Sequence, residues 1–230
     1  MKLSVIIPVY NEEKTVADII ARVRACGVPD LELVVVNDCS TDNTRAILEA
    51  MPPAPDLIIV HHEKNQGKGA AIRTGQQHVH GDVAVVQDAD LEYDPEEFPK
   101  MLKPIEQGLA DVVYGSRYCG ESRMVDTFWH FAVNRFITNF FNFFANIHLS
   151  DVETCYKMAK TVYFKQVNLT CDRFGFDPEL SAKLVRLKCR FYEVPINYHP
   201  RSFEDGKKIG AKDGFVILWT ILKFTIFHCK

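Results

Sequence analysis

Short continuous apolar runs alternate, in the first half of the chain, with longer stretches whose apolar positions recur at helical spacing. Leu3 to Tyr10 reads as a first strand, with Pro8 near its carboxyl end. Asn11-Glu12-Glu13-Lys14 opens a predicted helix with Val16, Ile19, Ile20 and Val23 on one face, ended by Gly27 and Pro29. Leu31 to Val36 and Leu57 to His61 are the next strands, separated by a helix running to about Ala50. Asn65-Gln66-Gly67-Lys68-Gly69-Ala70 leads into a helix through His78, and Val83 to Val86 form a fourth strand. A helix from Pro95 to about Gln107 and a strand at Asp111 to Tyr114 complete the alternation. The strands are β-branched and continuous, as strands buried on both faces are. The pattern predicts an α/β fold with a mostly parallel central sheet and helices on both faces.

Ligands in such sheets bind beyond the carboxyl ends of the strands, and polar clusters fall at those ends here. They are Tyr10 to Glu12, Asp38 to Asp42, Asp88 to Glu92 and Gly115-Ser116-Arg117. The third is the sharpest. Val83 to Val86 end in Asp88, Asp90 and Glu92 at alternating positions, which project to one side if the backbone stays extended. Carboxylates held that close repel, so either a hard divalent cation lies between them or the segment is a solvated turn. The glycines of Asn65-Gln66-Gly67-Lys68-Gly69 serve either a tight turn or a close backbone approach to an anion at a helix start. Their spacing does not match a Walker A loop.

The second half changes character. Thr127 to Leu149 holds Phe128, Trp129, Phe131, Phe136, Phe140, Phe141, Phe143 and Phe144, with Asn134, Arg135, Thr138, Asn139, Asn142 and Asn146 interleaved. This is either a pair of buried helices or a helical surface facing a membrane or lipid. Asp151-Val152-Glu153 is a second acidic cluster before a short strand, Asp177-Pro178-Glu179 opens a helix to about Leu187, and Phe191 to Tyr198 alternates like an edge strand. Arg201 to Lys208 is a glycine-bearing loop with three cations, suited to closing over phosphates or lying solvated at the surface.

Composition narrows the field. At 230 residues, 47% hydrophobic and 25% charged, the chain suits one large soluble domain. A net charge of -3 argues against a generic nucleic-acid binder. Seven cysteines with no C-x-x-C pair read as reduced thiols, and no secretory signal or spanning segment is expected. Phe215 to Phe227 is the longest hydrophobic stretch, interrupted by Lys223, and can lie in an interface.

Taken in order, these motifs resemble the inverting family-2 glycosyltransferases of GT-A fold, and within them the dolichyl- or polyprenyl-phosphate sugar synthases. The resemblance runs through Val5 to Glu12, Val36 to Asp42, Asn65 to Gly69, Asp88-Ala89-Asp90, Gly115-Ser116-Arg117 and Arg201 to Lys207. It implies one glycosyltransferase domain over residues 1–230, with a nucleotide-sugar half at 1–117 and an acceptor half at 118–230. By position, Pro8, Tyr10, Glu12, Val36, Asp38, Lys68, Asp88 and Ala89 would bind the nucleotide-sugar. Asp88, Asp90 and Glu92 would hold Mg2+ or Mn2+, with Asp90 the principal ligand. Arg117, Arg135 and Thr138 would receive the acceptor phosphate, and Arg201 and Lys207 would clamp the donor diphosphate. Glu92 stands where close relatives often have Gln, and Asn37 where the family often has Asp.

The implied reaction moves a hexose, of GDP-mannose or UDP-glucose type, to a polyprenyl or dolichyl phosphate with inversion. Such an acceptor is already an anion, so catalysis rests on positioning and on neutralising the departing diphosphate. A saccharide hydroxyl acceptor would instead need a base, for which Asp151 is the candidate; Glu179 is a further carboxylate of undetermined role. A non-catalytic nucleotide-sugar-binding protein is the remaining alternative. The multi-helix anchor of some relatives is not seen in this sequence. Peripheral contact with the cytoplasmic face of a membrane is therefore expected through Thr127 to Leu149 and Phe215 to Phe227, or through an anchoring partner.

Overall fold

The computed structural model describes residues 1–120, 127–173, 175–200 and 211–227. Its centre is a seven-stranded sheet. The strands are β1 (Leu3–Val9), β2 (Leu31–Asn37), β3 (Leu57–His61), β4 (Val83–Val86), β5 (Val112–Ser116), β6 (Lys157–Lys160) and β7 (Phe191–Pro195), in the order β3-β2-β1-β4-β6-β5-β7. Every pairing is parallel except those of β6, which runs antiparallel to both β4 and β5. Successive side chains of a strand face opposite sides, so complete burial of β4 and near-complete burial of β1 and β2 means both sheet faces are covered. β3 and β7 are the edges. β3 is half-exposed along its length, and Pro195, which lacks a backbone donor, sits where the edge leaves one unneeded.

Eight α-helices supply the cover among the described residues: α1 (Val16–Arg24), α2 (Thr44–Glu49), α3 (Lys68–His78), α4 (Phe98–Glu106), α5 (Phe128–Ala145), α6 (Thr161–Gln166), α7 (Phe176–Arg186) and α8 (Ala211–Leu222). α1 begins later than the sequence pattern suggests. Asn11 adopts a left-handed φ of 54°, and Thr15 is the flanking residue, so Asn11 to Lys14 form a turn and not a first helical turn. The aromatic stretch forms one 18-residue helix, α5, not a pair; Asn146 at φ 51° ends it in the left-handed cap conformation.

The sheet order matters for function. β5 belongs to the first half of the chain yet lies between β6 and β7 of the second half. Because β6 is antiparallel, its amino end and the carboxyl ends of β4 and β5 meet at one rim, with Val85 opposite Met158 and Tyr114 opposite Lys157. The segment entering β6 therefore joins the ends of β1, β2, β4 and β5 there.

Candidate active site

The loops after β1 and β2 are laced together. The Asn11 side chain accepts from the Thr41 amide at 2.8 Å, Ser40 Oγ accepts from the Asn11 amide at 3.0 Å, and Thr44 Oγ1 accepts from the Glu12 amide at 2.9 Å. Thr15 donates to Glu12 at 2.8 Å. Tyr10 is exposed at the rim, Pro8 is half-buried and Val36 is buried. Asp38 is buried and accepts from the Gln66 and Gly67 amides at 2.9 and 2.7 Å. His62 bridges it to the next helix, with Nδ1 2.7 Å from Asp38 Oδ1 and Nε2 2.9 Å from Thr74 Oγ1. Oδ2 of Asp38 takes one of these bonds and retains acceptor capacity. Asn37, in the place of an expected Asp, bonds Ser40 and His61.

The glycines of the next loop approach protein, not open space. A Cβ on Gly67 (φ 99°) would strike the carbonyl of Asp172, and one on Gly69 the carbonyl of Cys171. That partner segment is held by Glu179, whose carboxylate accepts from the Thr170 and Cys171 amides at 2.8 and 2.7 Å. Glu179 is thus the support beneath the loop. A cleft of about 580 Å³ opens on the loop's flank, lined by residues including Lys64, Gln66 and Asp172, but by none of the carboxylates after β4.

The docked loop places Lys68 at the start of α3 with Nζ 2.7 Å from Asp88. Burial alone would lower its ammonium; Asp88 more than offsets this and holds it well above its ordinary value. The chain after β4 is not extended. Leu91 turns it at φ 63°, Asp90 accepts from the Glu92 amide at 3.1 Å, and Gln87 pins the bend by donating to the Asp88 and Tyr93 carbonyls. The three carboxylates consequently diverge: Asp88 faces Lys68, and Glu92 accepts from the Tyr198 hydroxyl at 2.8 Å. Among the described residues no three His, Cys, Asp or Glu side chains converge closely enough to hold a metal ion. The electrostatics nevertheless suit one. Burial, then Asp88, then Glu92 push the Asp90 carboxyl up to about 7. Negative charge exceeds positive at Asp90, and an all-oxygen donor set fits a hard divalent cation.

Tyr198 connects this bend to the second half of the site. Its ring lies 5.2 Å under the guanidinium of Arg117, which is buried and bound bidentately to Asp151 at 2.7 and 2.8 Å. Burial pulls Arg117 down and Asp151 up, and each is more than reversed by the partner's opposite charge. The pair takes Nε and Nη2 and leaves Nη1 outside it. Asn134 and Thr138, one turn apart on α5, face the same carboxylate: Asn134 donates to Asp151 at 3.4 Å and Thr138 to Asn134 at 3.3 Å. Arg135 follows by one position, about 100° round the helix, and is exposed. Phe128, Trp129, Val133, Phe136 and Phe143 of the same helix are also exposed.

The structure thus brings together Lys68, Asp88, Asp90 and Glu92, and, through Tyr198, Arg117, Asp151 and Thr138. Ala89 is buried within the carboxylate bend. Arg201 and Lys207 lie outside the described residues. Asn134, Tyr198 and the buried Lys157–Asp177 pair belong to this region without any sequence motif that assigns them a role. Only Asn134 left a signal, its four-residue spacing from Thr138.

A sequence profile of the family described as Glycosyl transferase family 2 matches residues 4–167. An undecaprenyl-phosphate 4-deoxy-4-formamido-L-arabinose transferase of Enterobacter sp. (strain 638) is 31% identical over 212 residues, 90% of this chain and 62% of that protein. A dolichol-phosphate mannosyltransferase of Pyrococcus furiosus is 37% identical over 119 residues, 51% of this chain and 34% of that one. The chain therefore spans less than two thirds of the length of these curated relatives. Among solved structures, glucosyl-3-phosphoglycerate synthase from Mycobacterium tuberculosis, in complex with Mn2+, uridine-diphosphate and phosphoglyceric acid, superposes with a TM-score of 0.72 at 19% identity. That match covers 97% of this chain and 78% of the other.

Proposed function

The chain belongs to glycosyl transferase family 2 and has the GT-A fold, and on that premise we propose that it moves a hexose from a nucleotide-sugar to a polyprenyl phosphate, with inversion, at a membrane surface. The observation that carries this reading is the linkage, through Tyr198, of a carboxylate bend to a buried Arg117–Asp151 pair beside an exposed aromatic helix face. Pro8, Tyr10, Glu12, Val36, Asp38 and Ala89 frame the base and ribose of a GDP- or UDP-sugar. Asp88, Asp90 and Glu92 would hold Mg2+ or Mn2+ once their side chains turn from their present partners toward a common point, and the ion would supply charge neutralisation for the diphosphate. Lys68, and with it Arg201 and Lys207, adds positive charge on the donor side.

Arg117, Arg135 and Thr138 serve the acceptor. Polyprenyl phosphate is anionic at neutral pH and attacks the anomeric carbon without a base, so the protein's task is positioning and charge compensation. Asp151 favours this over a saccharide hydroxyl acceptor, because both its oxygens are engaged by Arg117. Exposed Arg135 lies next to Phe136, where a phosphate at headgroup depth would meet it while the prenyl chain follows the aromatics. No helix of the described residues is long and apolar enough to cross a membrane. Peripheral contact at the cytoplasmic face, alone or with an anchoring partner, fits that.

The experiment is turnover with a panel of UDP- and GDP-sugars and Mg2+ or Mn2+, using a polyprenyl phosphate and a saccharide in parallel. Asp90→Ala is expected to lose metal-dependent turnover by at least about a hundredfold, the scale of removing one electrostatic stabiliser. Arg135→Ala is expected to cripple transfer to the phosphate and spare donor hydrolysis. Full activity of Arg135→Ala with a lipid phosphate refutes the acceptor assignment. Donor binding without turnover on any acceptor would support a non-catalytic binding protein instead.

A further inference from the structure

We propose that Glu153 is an acceptor-binding residue whose carboxyl, kept protonated, donates a hydrogen bond to the phosphate oxygen of the acceptor beside Arg117. This rests on the polyprenyl-phosphate reading above and deepens it. Glu153 lies between α5 and β6, on the segment that emerges beyond the carboxyl ends of β4 and β5, at the rim shared with Asp88 and Arg117. Its Oε1 is shielded from solvent and has no hydrogen-bond partner among the described residues, while the residue as a whole is only partly buried and so remains open to a ligand. A buried polar atom left this way is uncommon and leaves hydrogen-bonding capacity for a further partner.

The surrounding charges say what that partner is. Asp177 and Asp151 raise the Glu153 carboxyl electrostatically, and Lys157 and Arg117 lower it. These are two ion pairs, so an ionised Glu153 would add an uncompensated negative charge in an enclosed place. Burial first, then Asp177, raise the Glu153 carboxyl to about 8, and it carries its proton at neutral pH. A carboxylic acid donates to a phosphate oxyanion in a short charge-assisted bond, whereas a carboxylate would repel it. Arg117 commits Nε and Nη2 to Asp151, so a phosphate dianion beside it needs further donors. Neutral Glu153 supplies one, and it makes a poor base for a hydroxyl acceptor. No covalent step is involved, and the proton stays on Glu153.

The test follows KM for farnesyl phosphate in the full chain from pH 7.5 to 9.5, at saturating donor and divalent cation, with Glu153→Gln and Glu153→Ala alongside. A phosphate monoester, with a second pKa of about 6, is already a dianion across that range. Of the neighbours, Arg117, Cys155, Tyr93 and Tyr198 are pushed above their ordinary values and Asp151 below its own. Lys157 and Asp177 are paired with each other, and Glu193 of β7, raised by burial, accepts from Ser150. Wild type is expected to show KM rising toward tenfold per pH unit above about 8, the limit for one required proton. Glu153→Gln, which still donates, should keep the neutral KM within about threefold and lose the rise; Glu153→Ala should weaken it about tenfold.

A flat wild-type KM overturns the proposal. So does a hundredfold loss of kcat in Glu153→Gln with unchanged melting, which would make Glu153 a base. If the variants do not fold, wild type labelled with carboxyl-13C glutamate decides by NMR. Farnesyl phosphate must raise the Glu153 titration midpoint, and an unmoved midpoint overturns the idea. Wild type that neither binds nor uses farnesyl phosphate at any pH, yet glycosylates a saccharide, overturns the functional reading and this inference with it.

Discussion

Asp151 illustrates how one carboxylate is fixed by its neighbours. It is fully buried, and only the bidentate bond to Arg117 makes its charge tolerable there. Breaking such a pair from one side strands a buried charge, so Asp151→Asn is expected to cost about 3–5 kcal/mol in urea unfolding at pH 7. Replacing both partners by apolar residues of similar size, as in Arg117→Met with Asp151→Leu, should recover most of that stability while transfer stays abolished. The pH dependence has a definite sign. A carboxyl whose folded pKa is lowered stabilises the fold fully above its unfolded value of about 3.9 and loses that contribution as pH falls through the lower folded value. The gap between wild type and Asp151→Asn is therefore expected to be complete at pH 5 to 7 and to close in acid; a gap that widens in acid would contradict it. The motif around Asp151 was readable in the sequence, but its partner was not. Arg117 is distant along the chain, and nothing in spacing says which cation a buried carboxylate will meet.

At the scale of elements, α5 carries two faces with separate tasks. Asn134, Ile137, Thr138 and Phe141 form its buried stripe, and the polar pair in that stripe points to Asp151. The other side exposes Trp129 (76%) and Phe143 (79%), and α8, which packs against α5, exposes Phe215 (77%) and Trp219 (61%). Aromatic surface of this size costs free energy in water and gains it at a membrane interface, at about 1.5–3 kcal/mol per fully buried side chain. Trp129→Ser with Phe136→Ser should therefore lower partitioning onto anionic liposomes by at least about a hundredfold while leaving the melting temperature unchanged, because neither side chain packs in the core. Sedimentation with vesicles reads the first and thermal unfolding the second. The density of aromatics was visible in the sequence. Their division between core and surface was not, because a helix as rich in Phe as this one shows little contrast between its sides until it has a neighbour to pack against.

In the whole molecule, Tyr198 is the joint between donor and acceptor sides: its hydroxyl holds Glu92 and its ring supports Arg117. It follows β7 at the far edge of the sheet and meets the carboxylate bend through an antiparallel bridge to Tyr93, the His199 amide donating to the Glu92 carbonyl beside it. Tyr198→Phe keeps the ring and deletes one hydrogen bond, so a stability change of about 0.5–1.5 kcal/mol is expected, together with a roughly tenfold loss of kcat at near-constant donor affinity. An unchanged kcat would mean that the two sides work independently. The alternation of buried strands and helices, and so a mostly parallel α/β sheet, is legible in the chain alone, because periodicity and β-branching are local properties. The loops that carry polar groups to the rim are legible there too. That β6 enters antiparallel between β4 and β5, bringing Asp151 and Glu153 to the rim, emerges only from the folded chain. So does the turn of the acidic segment at Leu91, which leaves Asp88 and Glu92 facing different partners. These outcomes depend on contacts between residues far apart in the chain, whose energies are set by burial and opposing charge, and a linear pattern does not record them.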